Sequence, residues 1–201
     1  MDFLASLRRA AARLDTRLPT VSLIVVCFAM MPGASAAAEG ESLEYSVKAA
    51  YLTKFGIYVE WPAAALGAPG SPLSLCVVGE DPFGANLDSA AGAQHIDGRA
   101  LTVRRLKTAG RDSGCHILYI NGSETAKTGQ IIEALRGSGV LTVSEARGAA
   151  GPAPVISFVL KDNRVRFNID EEAAAQNGLT ISSKLLGLAL AVKPKSGKEG
   201  R

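Results

Sequence analysis

The chain has 201 residues, 47% of them apolar and 20% charged, with a formal net charge of +3. It can build one hydrophobic core, which excludes a disordered protein, and aromatic residues at 5% are too sparse for a base-stacking platform. Four arginines and two aspartates fall within residues 1–38, leaving 18 basic against 17 acidic side chains, which is no basic field for nucleic acid.

Residues 1–38 read as a secretory signal. Arg8, Arg9, Arg13 and Arg17 lead into the apolar run Val21–Met31, eleven residues long. As a helix that run would span about 16 Å, roughly half a bilayer core. Pro32-Gly33 breaks it, and Ala34-Ser35-Ala36 supplies a small-x-small cleavage pattern. Cleavage is expected after Ala36 or Ala38, placing the mature chain in an oxidising compartment. The alternative is an uncleaved interfacial anchor. Val25-Val26 before Cys27 argue against a lipoprotein, and no later segment reaches the ~18 unbroken apolar residues of a membrane helix.

Glu44 to Trp61 has helical periodicity, with Val47, Tyr51, Phe55 and Tyr58 on one stripe and Lys48 and Lys54 off it. Trp61-Pro62 ends it, and Ala63–Pro72 is a loop. Leu73–Gly79 is a buried strand, after which Asp81-Pro82 reads as a helix N-cap with proline at the first helical position. Gly98–Leu106 alternates as a half-exposed strand, and Cys115–Ile120 is a second buried one. Ser123 caps a helix that buries Ile131, Ile132 and Leu135 and ends near Gly137. Val140–Val143 is the next strand, followed by the loop Gly148–Pro154. Val155–Leu160 and Val165–Ile169 flank Lys161-Asp-Asn-Arg164, a hairpin signal. Ala173–Gln176 is a short helix stopped by Asn177-Gly178, and Ile181–Leu190 a second one, apolar enough to be well buried. This order predicts a single layered α/β domain over residues 39–192, with a mainly parallel sheet, an antiparallel edge hairpin and flanking helices. Residues 193–201 form a basic, loose tail.

No catalytic constellation emerges. Gly79–Gly84 lies where phosphate loops occur but lacks their glycine and lysine pattern and carries two carboxylates. His95 falls in a loop and His116 inside a strand. Ser182-Ser183-Lys184 lacks the Ser-x-x-Lys spacing, so the serines read as cap residues of the last helix. Asn121-Gly-Ser123 is a glycosylation triplet and equally a capping turn. Glu171-Glu172 suit a helix start. Cys115-His116 cannot hold zinc, since neighbours on a strand point to opposite faces and no further ligand spacing exists. No metal or cofactor is expected. Once Cys27 leaves with the signal, Cys76 and Cys115 form an even pair, for which a disulfide is the economical reading and two separate buried thiols the alternative.

Seven blocks in order resemble the YfiR family of periplasmic regulators: Ala49–Pro62, Leu75–Gly84, Gly98-Arg99, Cys115–Ile120 with Ser123-Glu124, Leu141–Glu145, Val165–Ile169 and Gly178–Leu186. Together they cover roughly residues 45–192. The resemblance implies regulation by binding and no enzymatic activity. Characterised members repress an inner-membrane diguanylate cyclase through its periplasmic portion, and an OmpA-like outer-membrane lipoprotein can sequester them. Other relatives serve other membrane sensors, and some members are homodimers stabilised by disulfides. Cys76 and Cys115 fall where the family places one such bond. A second pair known in the family has no counterpart, because Gly148–Pro154 contains no cysteine. Tyr51, Phe55, Tyr58 and Trp61 exceed what one packing face needs and are candidate partner-binding residues. The rival function is a periplasmic small-molecule binding module feeding a sensor kinase or transporter.

Overall fold

A computed structural model describes residues 34–122, 125–145 and 151–196. The sheet belongs to the compact unit that begins at Ala38. Helix α1 (Ala34–Phe55) ends in a 3₁₀ turn and a two-residue strand β1 (Val59–Glu60). Then follow β2 (Leu73–Val78), α2 (Ala85–Gly92), β3 (His95–Ile96), β4 (Arg99–Leu106), β5 (Ile117–Ile120), α3 (Thr125–Ala134) and β6 (Leu141–Glu145). The hairpin β7 (Ile156–Lys161) and β8 (Arg164–Asp170) leads to α4 (Glu171–Gln176), β9 (Thr180–Ile181), α5 (Ser183–Leu186) and β10 (Ala191–Lys193). Eight strands form one sheet in the order β10-β8-β7-β6-β5-β2-β4-β3, and β1 pairs separately with β9.

The five strands β4-β2-β5-β6-β7 are mutually parallel, while β8 runs antiparallel to β7 and β3 to β4. The fold is therefore the mixed α/β sheet that the alternation of elements predicts. From β2 the chain moves out to β4, then returns to β5 on the other side of β2. That reversal separates the helices: Leu87 and Ala91 of α2 join α1 in the larger core, and Ile132 of α3 packs with Cys76, Leu118 and Ile120 in the smaller. The loop before β2 is held by Arg99, whose guanidinium Nη1 donates to the carbonyls of Leu66, Ala68 and Ser71. The β7–β8 turn places Asp162 and Asn163 at φ 50° and 56°, the left-handed pair a two-residue type I′ hairpin demands.

Five expectations need correction. The first helix stops at Phe55 rather than Trp61, because the chain tightens into the 3₁₀ turn Gly56–Tyr58 and Val59-Glu60 then pair with Ile181 and Thr180. Asp81 does not cap α2, which begins after Gly84; its carboxylate accepts from the Phe83 amide and from Arg105 instead. Cys115 and His116 precede β5 rather than lie within it. The expected helix Ile181–Leu190 shrinks to one turn capped by Ser182, because Ile181 is spent on β9 and the Leu190 amide binds the Phe167 carbonyl at the entry to β10. Leu188 and Leu190 are consequently exposed. Lys193, expected in the loose tail, instead closes β10 and meets Asp170 at 3.0 Å. The Ser123 cap and the first part of the Gly148–Pro154 loop lie outside the described residues.

Candidate functional site

In a sheet whose strand order reverses, ligands ordinarily enter the crevice beyond the carboxyl ends of the two strands at the reversal. Here those strands are β2 and β5, paired at Val78 and Ile120. Their crevice is filled from within. Asn121 donates its backbone amide to Val78 and its side-chain amide to the Glu80 carbonyl at 2.8 Å. The Phe83 ring meets Tyr119 at 4.8 Å and Tyr45 of α1 at 5.6 Å, both edge to face.

Beside it, one carboxylate oxygen gathers three donors. Glu145 Oε1, at the end of β6, receives the Lys48 ammonium at 2.8 Å, the Tyr119 hydroxyl at 3.0 Å and the Tyr45 hydroxyl at 3.2 Å. Lys48 also meets Glu44 one turn back at 2.5 Å and lies 4.5 Å over the Tyr45 ring. Lys48 is only 4% exposed, so it does not lie off the packed face as its position in the periodic pattern suggests. A buried cation survives only with such compensation. The cluster fixes α1 across the strand ends.

The four aromatic candidates divide. Phe55 is 1% exposed and stacks among Tyr51, Phe158 and Phe167, so it has no surface to offer. Tyr51 is half-buried, with its ring 5.5 Å from Phe167 and part of it lining a shallow surface depression with Ser46, Val47, Ala50 and Lys54. Tyr58 and Trp61 are also half-buried, and Trp61 Nε1 is enclosed without a hydrogen-bond partner. The exposed apolar residues of this segment are instead Leu43 (67% exposed), Val47 and Ile57. The spacing of Leu43, Val47 and Tyr51 by four could have identified this outer stripe, but the larger aromatic residues drew Val47 into the buried one.

Cys76 and Cys115 are joined as a disulfide, with Cα atoms 5.8 Å apart and both residues buried on the α3 side. His116 Nδ1 accepts the Ser74 backbone amide at 3.0 Å, and its own backbone ties β2 to β6 through Ser74 and Leu141. Burial pushes the His116 pKa below its ordinary value; the nearby Ala65 carbonyl opposes this without reaching hydrogen-bond geometry, and the Arg99 charge adds to the lowering. His95 sits exposed in β3, far from forming a pair with His116 in sequence or sheet order. Glu171 and Glu172 occupy the first turn of α4 behind the Asp170 cap. Among the described residues, no group of three His, Cys, Asp or Glu side chains could hold a metal, and no helix is long and apolar enough to cross a membrane.

A cavity of about 240 Å³ lies between α3, α4 and β10, with Arg136, Asp170, Glu172 and Lys193 among its walls. Its charges are already paired: Arg136 with Glu133, and Lys193 with Asp170 and Glu172. No curated protein matches the chain. The YfiR/HmsC-like family matches it over residues 45–190.

Proposed function

The chain belongs to the YfiR/HmsC-like family, and from that premise we propose that it is an exported regulator acting in the periplasm. It represses an inner-membrane diguanylate cyclase by binding the cyclase's periplasmic portion, and it catalyses nothing. The observation that carries this reading is a contrast. The crevice where this topology would take a small ligand is packed with Phe83, Tyr119, Tyr45 and Asn121, whereas α1 leaves Leu43, Val47 and part of Tyr51 uncovered. An apolar patch with few charges at its centre is what a protein partner desolvates. Tyr58 and Trp61, half-buried just beyond α1, are the remaining aromatic candidates for the contact. The exported form begins at Ala37 or Glu39, and an OmpA-like lipoprotein relieves the repression by competing for the regulator.

Co-purification from native membranes tests this. The wild-type protein retains a diguanylate cyclase, and a folded Val47→Asp variant loses it. The cavity beside α4 supports a second reading, a small-molecule module. Loss of cyclase capture, together with a raised melting temperature in a low-molecular-weight extract, would put that reading first.

A further inference from the structure

The segment Pro62–Pro72, which leads from Trp61 to β2, is a strap held by few contacts. None of its residues is buried. Leu66 packs on the margin of the larger core, and Ala65 rests on Gly139, where an added Cβ would come within 2.7 Å of the Ala65 Cβ. The carbonyls of Leu66, Ala68 and Ser71 all accept from one nitrogen, Nη1 of Arg99. A segment with so little buried apolar surface opens at a fraction of the cost of global unfolding. Trp61, immediately before it, keeps its Nε1 enclosed.

His116 stands on the fixed side of this strap. Cys115 before it is bonded to Cys76, and its own backbone bonds the Ser74 carbonyl and the Leu141 amide, so a rigid frame carries the ring. Nδ1 accepts the Ser74 amide, two residues beyond Pro72, at 3.0 Å. That places the ring proton on Nε2, which is enclosed near the Ala65 carbonyl. The strap, the β2 entry Leu73-Ser74 and the turn Gly139–Leu141 carry no titratable side chain. Arg99 of β4 is the charge that acts on the ring. A proton on Nδ1 would set a donor against the Ser74 amide and a second cation beside the guanidinium that clamps the strap. The Ala65 carbonyl offsets part of this, but burial outweighs it, so the closed strap favours the neutral ring. An open strap hydrates the ring, which then takes its proton near the ordinary value of about 6.5. Acid therefore favours the open form.

We propose that His116 is an acid-sensitive latch: the neutral ring keeps the strap Pro62–Pro72 closed, and its protonation opens the strap and uncovers Trp61 while the sheet stays folded. Tyr58 and Trp61 are candidate contact residues, so the latch ties partner binding to the acidity around the exported protein. That consequence rests on the reading that the protein acts on a protein partner. The latch itself does not, and its test needs no partner.

The test uses the full exported protein, in which Trp61 is the single tryptophan and His95 the other histidine. Between pH 7 and pH 5 the Trp61 emission should shift to the red and its quenching by acrylamide should rise several-fold, with the far-UV circular dichroism unchanged. The protection factor of the Ser74 amide should fall several-fold over the same range. Asparagine offers an acceptor oxygen near the Nδ1 position and does not titrate. His116→Asn should therefore show no transition, and His95→Asn should show that of the wild type. If His116→Asn does not fold, the His116 ring titration in proton NMR of the wild type replaces it, and its midpoint must match that of Trp61. A Trp61 signal indifferent to pH overturns the proposal, as does a transition that survives in His116→Asn or vanishes in His95→Asn. Unmatched midpoints, or loss of circular dichroism along with the fluorescence change, overturn it too. Failure to capture a cyclase at any pH would remove the partner reading and leave these results standing.

Discussion

At Glu145 a single carboxylate oxygen is shared by Lys48, Tyr119 and Tyr45 in nearly complete burial. Removing one member of such a pair leaves the other charge uncompensated, at about 3–5 kcal/mol, whereas replacing both by apolar groups is often neutral. Lys48→Met should therefore lower stability in urea by about that amount, and Lys48→Met with Glu145→Leu should recover most of it. A double variant that loses the sum of the Lys48→Met and Glu145→Leu losses would show that the pair is not coupled. His116 gives a pH signature. Its folded pKa is depressed, so the unfolded chain binds the extra proton first as pH falls below about 6.5. Its stability contribution is complete above that value and is lost as pH drops toward the folded pKa. Protonating Nδ1 would also expel the Ser74 amide. The melting temperature of the wild type should fall between pH 7 and pH 5 more than that of His116→Asn. Parallel curves would remove His116 from the account.

Among the elements, those written in local chemistry were the readable ones. β2 announces itself as a short apolar run, the β7–β8 hairpin by its Asp-Asn turn, and α4 by acids in its first turn before Asn177-Gly178. The two-residue strands were not readable, because β1 exists only through β9, more than a hundred residues away. β3 is the exception: Asp97-Gly98, at φ 49° and 75°, is a hairpin signal that was present and passed over. The burial of Lys48 was illegible for the same nonlocal reason, since Glu145 lies 97 positions along the chain. Of the aromatic candidates for the interface, Phe55 faces the core. Only the packed helix shows Leu43 and Val47 turned outward. A charge at Val47 should accordingly spare the fold, since surface substitutions usually stay within about 0.5 kcal/mol. Val47→Asp should melt within a degree or two of the wild type, and a large drop would mean that Val47 is a packing residue.

For the whole molecule, the Cys76–Cys115 bond closes a separation of 39 residues across the start of the sheet. Loop entropy assigns such a bond about 4 kcal/mol, a large part of the ~5–15 kcal/mol typical of a domain. For a domain of this size the reduced protein should melt about 8–16 °C lower than the oxidised one. Coincident melting curves would remove the disulfide as a stabilising element. Repression by surface contact is the central claim, and cyclic-di-GMP production by spheroplasts of a deletion strain tests it most directly. Adding the purified exported protein should lower production, and adding folded Val47→Asp should not. Unchanged production with the wild-type protein would contradict the account.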